Sequence, residues 1–356
     1  MEYDRERKHA SSRWVVVIQV FQQNVIAMVW DFDRTLIRGY MQEPLFADHN
    51  IDPGAFWKEV NALPARYEKQ GLRVARESAY LNHILSYAWT GKFQGLSNEM
   101  LRGYGARLEF YDGMPDFMDQ IAESIATDEE YRRHDITVEH YIVSTGLLQI
   151  IEGSAVRDTV KDIWASEFIE EPLEVGGHLR FAVDGNLPLG GSDKTITQVG
   201  YVIEDTTKTR ALFEINKGVN VERSVDVNGV MAEGERRVPF TNMICIADGP
   251  SDVPMFSVVK RSGGKTFAVY DPRDTKHFEQ VSLLAEQERV ISSFPADYSH
   301  GSEAWLWLHR AATQIADSIV ERREAALRKA TGSGPAHVTQ DPADPESGPA
   351  SNGSAL

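Results

Sequence analysis

Cysteine is nearly absent from this sequence. Its 356 residues include one, Cys245, which lies in the apolar run NMICIADG. A disulfide within the chain is therefore excluded, and so is a metal site made of several cysteines. We interpret Cys245 as a buried structural thiol, with a catalytic nucleophile as the alternative. The reducing cytoplasm is the expected compartment.

Long hydrophobic runs are absent as well. WVVVIQVFQQNVIAMVW, residues 14–30, comes closest to a membrane-spanning pattern, but four amide side chains interrupt it: Gln19, Gln22, Gln23 and Asn24. A span needs roughly 18 apolar residues in a row, and a signal peptide would show a small-residue cleavage pattern behind its apolar segment. We therefore expect a soluble protein without a membrane partner, and strands in this segment.

Positive charge is in short supply. The sequence has 37 Lys and Arg residues against 53 Asp and Glu, which gives a formal net charge of −16. Such a chain does not neutralise a phosphate backbone in general, so no nucleic-acid partner is expected. An anionic small molecule remains compatible, because a local site can be positive within an acidic field.

Composition divides the chain into segments. Apolar residues make up 42% of it, enough for a substantial core. The polar start and the Gly-, Pro-, Ser- and Asp-rich end have too few large apolar groups to repay their ordering entropy. The predicted organisation is a flexible leader (1–12), an α/β core (13–39 and 111–330), an inserted helical domain (40–110) and a disordered tail (331–356).

The core segments alternate between strand and helix patterns. Four short apolar runs end at polar or glycine-containing turns: VIAMVW (25–30), HYIVS (140–144), NMICIA (242–247) and KTFAVY (265–270). Helical patterns cover 115–126, 207–218 and 251–260. This alternation predicts a Rossmann-like, mostly parallel sheet flanked by helices. Residues 166–206 are irregular and are interpreted as a β-hairpin or flap.

Two carboxylates, Asp31 and Asp33, directly follow the first apolar run in VIAMVWDFDRT. Ligands of open α/β sheets bind beyond the carboxyl ends of the strands, and residues two apart on an extended segment face the same way. Either acid alone would be interpreted as a turn or N-cap residue. Three further polar motifs later in the sequence, described below, favour a catalytic site over that interpretation.

Together these motifs resemble the haloacid dehalogenase superfamily, a group of aspartate-nucleophile phosphatases. Its first motif, Asp-x-Asp-x-Thr, fits Asp31, Asp33 and Thr35, and its second, a strand ending in Ser or Thr, fits Ser144 in YIVSTG. An acid at position 33 is missing from the dehalogenase and phosphonate-cleaving branches. The resemblance therefore implies phosphate ester chemistry.

The later motifs follow in the same order. The family's lysine fits Lys217 in FEINKG, with a solvated helix-end lysine as the alternative, and its last acidic pair fits Asp248 and Asp252 in IADGPSD. The helical insert fits a cap in the C1 position. The resemblance covers about residues 25–272 and is strongest to the phosphoserine-phosphatase-like branch.

This resemblance implies a role for each matched residue. Asp31 is the nucleophile that forms an aspartyl-phosphate, and Asp33 protonates the leaving oxygen and then activates water. The implied cofactor is Mg²⁺, which offsets the repulsion between carboxylate and phosphate. Its implied ligands are Asp31, the backbone carbonyl of Asp33, Asp248 and Asp252. The implied phosphate-binding groups are Ser144, Thr145, Gly146 and Lys217, and Lys217 is also the implied catalytic residue that offsets negative charge during the transfer.

The predicted activity is Mg²⁺-dependent hydrolysis of a phosphate monoester, with a small phosphorylated metabolite as the partner. Phosphomutases and phosphotransferases share both aspartates of the first motif, so transfer to an acceptor is one alternative. A catalytically idle binding protein of the same fold is the other. Specificity should reside in the cap, where Arg66, Arg73 and Arg76 are either substrate contacts or solvated helix charges. The cap aromatics are interpreted as core.

Overall fold

A seven-stranded sheet forms the centre of the protein. The computed structural model describes residues 21–170 and 194–331. The strands are β1 (Val25–Trp30), β2 (Thr137–Leu147), β3 (Val160–Ile169), β4 (Gln198–Tyr201), β5 (Met243–Ala247), β6 (Lys265–Tyr270) and β7 (Ser292–Pro295). Their order is β4-β3-β2-β1-β5-β6-β7, and every neighbouring pair is parallel except β3 and β4. The predicted fold class is confirmed.

Helices cover the two faces of the sheet and fill the interval between β1 and β2. They are α1 (Glu43–Asp48), α2 (Pro53–Glu68), α3 (Arg76–Trp89), α4 (Asn98–Gly105), α5 (Asp116–Thr127), α6 (Glu129–Arg133), α7 (Leu148–Glu152), α8 (Asp205–Lys217), α9 (Val253–Arg261), α10 (Thr275–Glu286) and α11 (Glu303–Thr331). Within residues 21–170 and 194–331, none is both long and apolar enough to cross a membrane.

β1 is central because all six of its residues are buried. A strand with a helix layer on each face needs apolar side chains on both sides, which VIAMVW provides. β1 pairs with β2 on one side and β5 on the other, and Trp30 lies opposite Ile142 and Ile246 in those two strands. The carboxyl ends of all three strands therefore meet at one edge.

The insert between β1 and α5 contains α1–α4. Asp52 caps α2 by accepting a hydrogen bond from the N–H of Ala55 at 2.9 Å, and Pro53 stands at the first helical position, where its missing donor costs nothing. Phe46, Phe56 and Phe93 pack ring to ring and are contiguous with the core beneath β1. A separate cap domain stays a prediction.

Some elements differ from the prediction. β3, β7 and α11 were not predicted, although the buried residues of α11 recur every three or four positions. In the irregular interval 166–206, β3 and β4 pair antiparallel, with Phe168 opposite Val199. The residues of the possible flap between them lie outside the described part of the chain. So do the predicted leader and the predicted tail after Thr331.

Candidate active site

Asp31 is the first residue after β1 and is held rigidly. Its N–H donates to the carbonyl of Ile246 at 2.8 Å, which extends the pairing with β5 by one residue. The residue is 6% exposed, and the Thr35 hydroxyl donates to its Oδ2 at 3.4 Å. Burial raises the pKa of Asp31, and a neighbouring lysine opposes that rise.

That lysine is Lys208, on the first turn of α8. Its Nζ donates to Asp31 Oδ1 at 2.8 Å and to Asp252 Oδ1 at 2.7 Å, and it is 1% exposed. Burial alone would lower the pKa of Lys208, but the two carboxylates raise it overall. A buried ammonium between two acids is a fixed positive charge beside the carboxylate predicted to attack.

The prediction for Lys217 was wrong. Its Nζ donates to the carbonyls of Val227 and Gly229 at 2.6 and 2.5 Å, so it closes the loop after α8. Both lysines belong to α8, but nine residues are about two and a half helical turns. They consequently lie on opposite faces, and only Lys208 faces Asp31.

Three carboxylates form the group that could hold a metal ion. One oxygen each from Asp31, Asp248 and Asp252 lie within 4.8 Å of one another. Asp248 directly follows β5, and Asp252 ends a short 3₁₀ turn (Pro250–Asp252) before α9. Asp252 is fully buried, and burial raises its pKa to about 7. Hard carboxylate oxygens suit Mg²⁺, so the residues fit the predicted ion.

Asp33 lies beside this group without joining it through its side chain. Its Oδ1 accepts the N–H of Met41 at 2.8 Å. Burial, and then the negative charge of Asp31, raise the pKa of Asp33 well above its ordinary value. A carboxyl group that keeps its proton is suited to general acid catalysis. The predicted ligation by its backbone carbonyl stays a prediction.

The second motif reaches the same edge from β2. Ser144 is buried, and its Oγ accepts the N–H of Gly146 at 3.0 Å. A Cβ on Gly146 would lie 2.1 Å from Cε of Met41, so a larger residue here would have to displace the end of that methionine side chain. Ser144, Thr145 and Gly146 all line the cavity above Asp31, and their contact with phosphate stays a prediction.

This cavity has a volume of about 860 Å³. The catalytic motifs form one wall, and the insert forms another with Trp57, Val60, Arg76 and Tyr80. Of the three cap arginines considered from sequence, only Arg76 is among the lining residues. The expectation that the cap aromatics are core holds for Phe56 and Tyr80, which are both buried. Tyr80 also stacks on the partly buried Trp57 at the cavity wall.

Cys245 is fully buried in β5. Burial raises the pKa of its thiol well above the ordinary value, chiefly because the thiolate would be desolvated. A thiol that holds its proton is a poor nucleophile. The interpretation as a structural residue is the one that the geometry supports.

Sequence reasoning missed two polar residues of the site. Lys208 carried no signal beyond its place near the start of a helical pattern, and His277 carried none. His277, on the first turn of α10, approaches Asp248 Oδ2 with its Nε2 at 3.2 Å. Arg34, which follows Asp33 in the first motif, also approaches this oxygen, with its Nε at 3.9 Å.

No family model matches the chain. An uncharacterized protein of Borreliella burgdorferi is 34% identical over 291 residues, which cover 81% of this chain and 96% of that protein. The chain belongs to the family of that protein. The resemblance to the haloacid dehalogenase superfamily rests on the aspartate and serine motifs of this chain, which the parallel sheet brings to one edge.

Solved structures give weaker likenesses. A HAD family hydrolase from Salmonella enterica matches at a TM-score of 0.47 and 13% identity, covering 80% of this chain and 70% of the other. A probable phosphoserine phosphatase from Vibrio cholerae matches at 0.47 and 13%, covering 85% and 69%. Since both scores are below 0.5, the assignment of a function depends on the residues of this chain.

Proposed function

We propose that this protein is a Mg²⁺-dependent phosphatase that hydrolyses a phosphate monoester of a small metabolite through an aspartyl-phosphate. One observation carries the proposal. The Asp31 carboxylate, bound to a buried ammonium, lies within 4.8 Å of Asp248 and Asp252 on the wall of a cavity. A purely structural acid would not need two further acids and a lysine at the same place.

In the first step, a carboxylate oxygen of Asp31 bonds to phosphorus as the bond to the leaving oxygen breaks. Asp33, whose raised pKa lets it hold a proton, gives that proton to the leaving oxygen. In the second step, water attacks phosphorus and returns a proton to Asp33. The bond between Asp31 and phosphorus then breaks, and phosphate leaves.

Positive charge must accompany this transfer, because a carboxylate and a phosphate dianion repel each other. Lys208 supplies one fixed charge at 2.8 Å from Asp31 Oδ1. Asp31, Asp248 and Asp252 would hold the metal ion, which when bound supplies further charge neutralisation and orients the phosphoryl group. Ser144 and the amides beside it would bind phosphoryl oxygens.

The experiment measures phosphate release from a panel of phosphorylated metabolites, with and without Mg²⁺. We expect Asp31→Asn to lose at least about 10³-fold in kcat, because the nucleophile is gone. Lys208→Met should lose about 10²- to 10³-fold, as when one charge-stabilising group is removed from an active site. Lys217→Met is the matched control from the same helix and should keep its activity.

Two results would contradict this mechanism. Near-normal turnover by Asp31→Asn would refute the nucleophile, and equal losses in the two lysine variants would refute the specific role of Lys208. Phosphate appearing on an added alcohol acceptor in place of free phosphate would identify the protein as a phosphotransferase. Metal binding without turnover on any substrate would favour a binding protein.

A further inference from the structure

We propose that His277 is a positioning residue, which fixes the carboxylate of Asp248 in the orientation that binds the metal ion. This inference rests on the metal site of the proposed function. His277 lies two residues inside the start of α10, is 1% exposed and is remote in sequence from every matched motif. It touches neither the cavity nor Asp31, so it would act through Asp248.

The hydrogen bonds of His277 define its tautomer. Its Nδ1 accepts the backbone N–H of Asp271 at 3.1 Å. A ring nitrogen that accepts carries no proton, so the proton of the neutral ring is on Nε2. That Nε2 is 3.2 Å from both the carbonyl oxygen and the Oδ2 of Asp248. The imidazole therefore donates to the backbone carbonyl of Asp248, and the same nitrogen lies within 3.2 Å of the Oδ2 of that residue.

Arg34 approaches the same oxygen from the loop of the first motif. Its Nε is 3.9 Å from Asp248 Oδ2, while its Nη2 donates to Asp274 Oδ2 at 2.8 Å. Asp274 in turn caps α10, because its Oδ1 accepts the N–H groups of Lys276 and His277 at 3.0 and 3.2 Å. The start of α10 thus holds both donors that approach Oδ2.

His277 and Arg34 both approach the same oxygen of Asp248, at 3.2 and 3.9 Å, and we infer that its other oxygen is directed to the metal ion. Without His277, Arg34 would be the remaining positive group beside Oδ2, and the Asp248 carboxylate would be free to turn toward its Nε. A carboxylate turned that way would no longer converge with Asp31 and Asp252. Loss of a partner that orients a metal ligand typically costs 10- to 100-fold in metal affinity.

The test measures Mg²⁺ binding directly, by calorimetry and by the Mg²⁺-dependent rise in Tm. We expect His277→Phe, which keeps an aromatic ring without the donor, to bind Mg²⁺ about 10- to 100-fold more weakly. His277→Gln can place an amide N–H near Asp248 and should recover most of the affinity. Turnover of His277→Phe should rise toward the wild-type kcat at high Mg²⁺.

His140→Phe is the matched control. His140 is also a buried histidine with two hydrogen bonds, to Trp30 and to the carbonyl of Met118, but it lies in the core. Its loss should lower Tm and leave Mg²⁺ affinity unchanged. If His277→Phe lowers Tm and binds Mg²⁺ as tightly as the wild type, or if His277→Gln is as weak as His277→Phe, the inference is wrong.

Failure of the proposed function would be distinguishable from failure of this inference. A wild-type protein that binds Mg²⁺ but releases no phosphate refutes the phosphatase, and weaker binding by His277→Phe would still support the positioning role. A wild-type protein that binds no Mg²⁺ overturns the metal site and the role of His277 with it.

Discussion

Acidification should weaken the core beneath β1, because it contains a histidine that folding keeps neutral. His140 is 3% exposed. The Trp30 indole N–H donates to its Nδ1 at 3.0 Å, and its Nε2 is 3.0 Å from the carbonyl of Met118. Nδ1 accepts, so Nε2 carries the proton and donates to that carbonyl. A second proton would have to displace the indole donor, and burial lowers the pKa of His140 from 6.5 to about 4.

The sign and size of the effect follow from this lowered pKa. Between pH 6.5 and pH 4 the unfolded chain binds a proton that the folded chain does not, so the free energy of unfolding falls as the pH falls through that window. At 1.36 kcal/mol per unit, the full contribution of His140 is about 3 kcal/mol. Between pH 7 and pH 5, about 2 kcal/mol of it should be lost.

Urea unfolding, followed by tryptophan fluorescence at pH 7 and pH 5, measures this loss. Other groups titrate in the same range, so the informative quantity is the difference between the wild type and His140→Gln, which has no titrating ring. We expect the wild type to lose about 2 kcal/mol more than the variant over this interval. Equal losses in the two proteins would refute the buried neutral imidazole.

Two more predictions concern the loop beside Asp31 and the far end of β2. Gly146→Ala would displace the end of the side chain of Met41, a residue whose Sδ accepts the N–H of Leu147 and whose own backbone N–H donates to Asp33. We therefore expect a loss of about tenfold in kcat, whereas Gly103→Ala, with open space around it, should be fully active. Unchanged kinetics in Gly146→Ala would contradict this coupling between Met41 and the catalytic loop. Arg237→Met removes a bidentate contact to Glu139 at 2.8 and 2.6 Å that is largely buried, and should lower the free energy of unfolding by about 3 kcal/mol. Arg133→Met, in an exposed pair, should change it by less than about 0.5 kcal/mol, and similar values for the two would contradict the difference in burial.

The sequence was sufficient for those parts of the fold whose signals are local. β1, β5 and β6 are short apolar runs that end at a turn, and each was predicted from that pattern. β7 was not, because its residues SSFP are only partly buried and show no apolar run. β3 mixes apolar residues with Lys161, Asp162 and Glu167, so its side chains do not follow a simple strand pattern.

The acids of the site were predictable for the same reason. Asp31 and Asp248 each follow a buried strand directly, and parallel strands bring their carboxyl ends to one edge. Lys208 and His277 reach that edge from helices. The face of a helix on which a side chain lies can be predicted only when the residue at which the helix begins is known. Lys217 was chosen because it is a lysine that precedes the last acidic motif, but Lys208 lies nine residues earlier on the same helix, and that separation places the two side chains on opposite faces.

His277 is the clearest example of a site residue that the sequence alone does not reveal. Nothing in the letters DPRDTKHFEQ marks a residue that acts on a metal site, since its role depends on the fold placing the start of α10 beside the end of β5. Asp274, the N-cap of α10, accepts the N–H of His277 and pairs with Nη2 of Arg34, so it holds both groups beside Asp248. A motif can name the atoms that bind a metal ion, but the groups that hold those atoms in place become visible only when strands and helices distant in sequence are packed together.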